Sequence, residues 1–210
     1  LLWRSASETA RRAAFVWSLP WTSTPIPISV IHRSIVMART VALNLERRDH
    51  AGTVAAMSTA DLRIDADRLV ARLDELGAIG AIEGTIGCAR LALTDEDKAG
   101  RDLVLTWMRD LGLDISVDGI GNVIATMPGF DPGLAPVMTG SHIDTVATGG
   151  RYDGNLGVLA GLEVIETAIA AIESGALTLS RPLAVGWFTD EEGARFPPDM
   201  LGSLVYVGGM

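Results

Sequence analysis

The run Gly140-Ser-His-Ile-Asp-Thr-Val146, followed by Gly149-Gly-Arg-Tyr-Asp-Gly-Asn155, sets the imidazole of His142 beside the carboxylates of Asp144 and Asp153 within one short stretch. Further along, Thr189-Asp-Glu-Glu-Gly-Ala-Arg-Phe196 supplies a second acidic cluster. Imidazole nitrogen and carboxylate oxygen are the donor types that hold Zn²⁺ and comparable divalent ions. In a two-metal hydrolytic site, His142 and Glu192 would each bind one ion and Asp153 would span both with its two oxygens. Glu191 is then left free to take a proton from a bound water and pass it to a leaving nitrogen. Asp144, two residues past His142, is placed to accept the other imidazole N–H, which fixes the tautomer and strengthens the ring as a ligand. Taken singly, each of these groups could be a loop hydrogen-bonder or a solvated charge. Taken together they argue otherwise, because a buried strand seldom ends in Asp190-Glu191-Glu192 unless a cation or solvent meets the charge.

The elements that must position these groups follow from periodicity. Leu62, Leu69, Val70, Leu73 and Leu76 recur at helical spacing from Asp61, with Gly77 as the stop. Thr94-Asp-Glu-Asp opens a second helix as a capping box, and Leu103, Trp107, Met108 and Leu111 give it one apolar stripe before Gly112. Ile115/Val117 and Val123/Ile124 flank Asp118-Gly-Ile-Gly and predict a pair of neighbouring strands. After a loop from Pro128 to Pro136, the short strand ending near Thr139-Gly140 delivers His142 at its carboxyl end, the edge where open α/β sheets gather ligands. Gly154 to Ala171 is apolar on most sides and predicts a buried helix beginning directly after Asp153. The continuous apolar run Leu183 to Phe188 predicts a strand covered on both faces that ends at the acidic cluster. The alternation predicts an α/β fold: a three-layer αβα sandwich around a central mixed sheet, with the strands near Thr139 and Phe188 as neighbours.

Composition narrows the function class. The chain has 210 residues and a formal charge of −9, which argues against a nucleic-acid footprint. No unbroken apolar run of about 18 residues predicts a membrane-spanning helix. Cys88 is the single cysteine, which excludes an internal disulfide, suits a reducing, cytoplasmic setting, and is read as a small buried side chain. Charge is uneven: residues 1–56 carry seven Arg against three acidic groups, and residues 57–210 carry ten Lys and Arg against twenty-three. Residues 1–56 also hold Trp3, Trp17 and Trp21 and a cluster of prolines without sustained periodicity. They are expected to be a leader or translated upstream sequence outside the domain, with Met57 as the native start.

The three motifs Gly-Ser-His-Ile-Asp-Thr-Val, Gly-Gly-Arg-Tyr-Asp-Gly-Asn-Leu-Gly-Val-Leu-Ala-Gly and Glu-Glu-Gly-Ala-Arg-Phe closely resemble those of the zinc-dependent carbamoyl-amidohydrolases. That family includes N-carbamoyl-L-amino-acid hydrolase, allantoate amidohydrolase and β-ureidopropionase. The likeness extends through Leu91-Ala-Leu-Thr-Asp-Glu-Asp and Asp118-Gly-Ile-Gly-Asn-Val. The interval of eleven residues from His142 to Asp153 resembles the carbamoylase branch rather than the aminoacylase and peptidase branch. The resemblance implies His142 on one metal, Asp153 bridging, Glu192 on the other and Glu191 as general base. It implies two divalent ions, Zn²⁺ or else Mn²⁺, Co²⁺ or Ni²⁺, and a small ureido or carbamoyl substrate whose C–N bond is cleaved with release of ammonia and carbon dioxide. It also implies two further histidine ligands, an inserted lid and dimerisation domain, and a homodimeric parent. No histidine follows His142 and nothing matches the lid, so residues 57–210 are expected to be the N-terminal part of the catalytic domain of a longer protein, inactive alone. The competing expectations are an aminoacylase- or peptidase-type metallohydrolase of the same superfamily and a non-catalytic, truncated binding or assembly module.

Overall fold

The computed structural model describes residues 61–209, so the expectations for residues 1–56 and for Met57 lie outside the described residues. In chain order the elements are α1 (Ala66–Ala78), β1 (Gly87–Cys88), α2 (Asp95–Asp110), β2 (Asp114–Val117), β3 (Val123–Met127), β4 (Val137–Ser141), β5 (Gly149–Gly150), α3 (Asn155–Glu173), β6 (Leu183–Trp187) and α4 (Leu201–Tyr206).

Helix α1 starts where Asp65 caps it, its carboxylate accepting the Arg68 N–H at 3.0 Å, four residues later than the periodicity suggests. It also runs through Gly77 instead of stopping there. A Cβ at Gly77 would sit 3.2 Å from Cβ of Arg151, so this glycine serves close packing. Helix α2 opens as expected, with the Thr94 hydroxyl accepting the Asp97 N–H and three acidic residues over the positive helix end.

Strands β2, β3, β6 and β4 lie side by side in that order. Strands β4 and β6 are neighbours, as the sequence predicts; they pair in parallel with Thr139 opposite Val185, and the other pairs are antiparallel. Alternation along β3 and β6 sends Val123, Ala125, Met127, Leu183, Val185 and Trp187 to one face. There they join Leu69, Leu73 and Leu76 of α1, Val104 and Met108 of α2, and Val158, Leu159, Leu162 and Ile165 of α3 in one core. Each such fully buried aliphatic side chain contributes about 1.5–3 kcal/mol. On the opposite face, the described residues provide Tyr206 of α4, edge-on to Phe188 and with its hydroxyl 3.8 Å from the sulfur of Met138. The α/β fold with a mixed four-stranded sheet and helices is therefore present.

Helix α3 is long and apolar enough to cross a membrane by length and composition, but half of it is buried inside this fold. It packs on α1, β4 and β6 and carries Glu163, which is fully buried and paired with Arg68 at 2.6 Å. Arg72 pairs with Glu166 at 2.7 Å alongside it, and each arginine also reaches the other glutamate, so four ion pairs join α1 to the helix that follows Asp153. Cys88 is a free, buried thiol, as expected.

Candidate metal and proton-transfer site

The parallel pairing of β4 and β6 continues past the strands, because the Phe188 N–H donates to the Ser141 carbonyl at 2.9 Å. His142 and Thr189 consequently leave the sheet together at its carboxyl edge. His142, Ile143, Asp144 and Thr145 are all buried. The ribbon β1–β5 then turns the chain so that Asp153 returns to His142. Gly154 makes this return possible: its φ is +64°, and a Cβ there would lie 2.5 Å from Cε1, Nε2 and the carbonyl oxygen of His142.

Of the predicted residues, His142 is held with Nδ1 2.9 Å from the Asp144 carbonyl, an acceptor only, so Nδ1 carries a proton. Its Nε2 faces Glu191 Oε2 at 3.3 Å and Asp153 Oδ1 at 3.9 Å. A neutral imidazole would thus aim a lone pair at two carboxylates, an arrangement that a proton or a cation must bridge. The role expected of Asp144 needs correction. Its carboxylate lies 3.9 Å from Nδ1 and instead accepts the backbone N–H groups of Glu191 and Glu192, each at 3.3 Å. The ring meets the nearer backbone carbonyl because the chain turns between positions 142 and 144, and this frees the carboxylate to dock the acidic loop.

Glu191 and Glu192 sit half-buried. Burial pushes Glu192 up to about 7; His142 offsets part of this, and Asp153, Glu191 and Asp144 add to it. Burial likewise raises Glu191 and Asp144. Asp190, considered above as part of a solvated charge run, is 1% exposed with φ +56°, and burial raises its carboxyl. Among the described residues, no group of three His, Cys, Asp or Glu side chains converges closely enough to hold an ion. His142, Asp153 and Glu191 gather on one side, Asp144 braces them, and Glu192 couples to the same cluster electrostatically. By chemistry the donor types, one imidazole and several carboxylates at the carboxyl edge of the sheet, suit a borderline divalent cation such as Zn²⁺.

Three supporting residues leave no pattern in the sequence. On the acidic side, Asn122 accepts the Thr189 N–H at 2.9 Å and donates to Asp118 and to the Gly202 carbonyl. Arg101 of α2 joins Asp97, the Gly121 carbonyl and the Thr189 hydroxyl. On the histidine side, the fully buried Arg90 donates to the Ile143 carbonyl and to Asn155. The available signal for Arg90 is an isolated charge among small and apolar neighbours, Cys88-Ala-Arg-Leu-Ala92.

No protein-family model matches the chain. It is 44% identical over 147 residues to an N-carbamoyl-L-amino-acid amidohydrolase of Rhizobium meliloti, covering 70% of this chain and 34% of that protein. It is 37% identical over 143 residues to allantoate deiminase 1 of Glycine max, covering 68% and 29%. A crystal structure of a hydantoinase/carbamoylase family amidase from Burkholderia ambifaria superposes with a TM-score of 0.66 at 49% identity, covering 71% of this chain and 36% of that one. The structure of AtUAH in complex with (S)-hydroxyglycine superposes with a TM-score of 0.63 at 35% identity, covering 69% and 33%. The chain thus spans about a third of the length of the curated relatives it matches.

Proposed function

Since the chain belongs, over this matched third, to the hydantoinase/carbamoylase amidohydrolase family, we propose that it supplies the metal-binding and proton-transfer part of a hydrolase that cleaves the C–N bond of a ureido or carbamoyl group. The substrates in this proposal are N-carbamoyl-L-amino acids or allantoate-like ureido acids, which agrees with the activities named for its relatives. The observation that carries it is the Nε2 face of His142, turned toward Asp153 and Glu191 at the carboxyl edge of the sheet.

In this proposal His142, Asp153 and Glu192 hold two divalent ions, Zn²⁺ or a related metal. When bound, such ions lower the pKa of water and polarise the carbonyl to be attacked. The residues of the chain do the rest. The Asp144 carbonyl keeps the proton on Nδ1, so that Nε2 remains a ligand. The Asp144 carboxylate holds the backbone of Glu191 and Glu192 and so fixes the two carboxylates relative to the ring. Glu191 takes a proton from water and returns it to the leaving nitrogen. The further ligands, the substrate-carboxylate contacts and a homodimeric assembly belong, in this proposal, to parts of the relatives that the chain does not match.

A chimera tests this directly. Residues 61–206 would replace the matched segment of the Rhizobium meliloti relative, and ammonia release would be followed on N-carbamoyl-L-amino acids, allantoate and ureidoglycolate. Turnover of at least one of them, abolished by Glu191→Gln, is the expected result. A folded, metal-loaded chimera that releases no ammonia from any of them would overturn the proposal.

A further inference from the structure

We propose that Arg90 is a positioning residue that sets the separation of His142 and Asp153, an inference that rests on the two-metal reading above. Its guanidinium is fully buried and spends its donors on four carbonyl-type oxygens. Nε donates to the Ile143 carbonyl at 2.8 Å, one residue after His142. Nη2 donates to Asn155 Oδ1 at 3.0 Å, two residues after Asp153. Nη1 donates to the Leu76 and Ile79 carbonyls at 2.9 and 3.0 Å, at the carboxyl end of α1. One planar group therefore ties the segment after His142 and the segment after Asp153 to a single fixed helix end.

The surroundings over-determine this geometry. The Arg90 backbone is itself paired to Thr145, its N–H to the hydroxyl at 2.8 Å and its carbonyl to the N–H at 2.9 Å. Asn155 is held in turn by donating from Nδ2 to the Arg151 carbonyl at 2.9 Å. Gly100 of α2 leaves room for the stem, since a Cβ there would meet Arg90 Cδ at 2.7 Å. Burial lowers the guanidinium pKa, and Cys88, Asp97 and Asp144 oppose this; the carbonyls at the carboxyl end of α1 add the negative helix end. A buried cation with neutral hydrogen-bond partners costs more than an apolar side chain of the same volume. What an apolar side chain cannot do is hold three segments at fixed distances, and a lysine ammonium lacks the planar fork that reaches Ile143 and Asn155 together.

The test uses the whole chain with Arg90→Lys and, in case that variant folds poorly, Asn155→Ala, which removes the Asp153-side link and leaves the cation in place. Amide hydrogen exchange is measured on metal-free protein, and Co²⁺ binding is followed through its visible absorption bands on the folded protein. Expected are faster exchange confined to residues 142–156, a loss of Co²⁺ affinity of about 10- to 100-fold as for other groups that orient ligands, and altered band positions. Unchanged exchange in residues 142–156, or a uniform rise throughout the fold, would overturn the positioning role. Wild-type protein that binds no Co²⁺ would show that the ligands on this chain do not suffice alone, while the exchange comparison still decides Arg90. Wild-type binding with an unchanged spectrum and affinity in both variants would overturn the proposal about Arg90 alone.

Discussion

His142 points Nε2 at the Glu191 carboxylate from 3.3 Å, while Glu192, its sequence neighbour, is the group that burial pushes up to about 7. Two adjacent, chemically identical side chains therefore stand in different relations to one imidazole. In the proposed division of labour Glu192→Gln removes a charged ligand and lowers metal content. Glu191→Gln leaves the ligands but removes the proton acceptor, so metal stays and turnover of the chimera falls by roughly 10²-fold or more. Metal analysis beside steady-state ammonia release separates the two. Loss of metal in the Glu191 variant with retention in the Glu192 variant would exchange their roles.

The same crowding makes stability depend on pH in chelator-treated protein. Glu192, Glu191, Asp144 and Asp190 all have carboxyls raised by burial. A carboxyl whose pKa is higher in the folded state binds more protons folded than unfolded between about 4.3, the unfolded glutamate value, and about 7, the Glu192 value. Stability is then greatest below that window and falls as pH rises through it. The thermal midpoint of stripped protein should drop by about 2–8 °C between pH 5 and pH 8. Saturating Zn²⁺ should reduce the drop, because a cation favours the charged forms. A midpoint that rises with pH in stripped protein would count against the cluster.

The residues with chemistry to offer are legible because their signals are local: His142, Asp153, Glu191 and Glu192 sit in short motifs at the ends of strands whose apolar runs are plain. Their supports are not legible for the opposite reason. Arg90 reaches a carbonyl 53 positions away, and Asn122 reaches an N–H 67 positions away, so neither leaves a period or a spacing in the sequence. The ribbon of β1 and β5, two residues each, and the six residues of α4 are too short to show an alternation. Sequence spacing allows both the carboxylate and the carbonyl of Asp144 as partner of the His142 ring, and only the turn between them decides for the carbonyl.

Gly154 offers a way to separate backbone strain from steric conflict. Gly154 and Gly175 both have positive φ, +64° and +73°, but a Cβ at Gly175 meets nothing within 4 Å, whereas one at Gly154 meets His142 at 2.5 Å. Gly175→Ala should cost about 1 kcal/mol from conformation alone. Gly154→Ala adds overpacking against the ring and should cost about 2–4 kcal/mol. Urea unfolding of both variants measures the difference, and equal costs would show that the turn before α3 yields without displacing His142.

Asp144→Asn isolates what the buried carboxylate does. It accepts two backbone N–H groups, from Glu191 and Glu192, whereas the imidazole is held by the carbonyl of the same residue. An amide has one acceptor oxygen, so its NH₂ group would confront one of those backbone donors, at a cost of about 1–3 kcal/mol for the unsatisfied pair. The damage should fall on the acidic loop: exchange of the Glu191 and Glu192 amides rises, and turnover of the chimera drops. The ring should keep its proton on Nδ1, because the carbonyl that accepts it is untouched. Imidazole ¹⁵N shifts of His142 in metal-free protein report the tautomer directly. A shift of the proton to Nε2 in the variant would show that the carboxylate, and not the carbonyl, orients the ring.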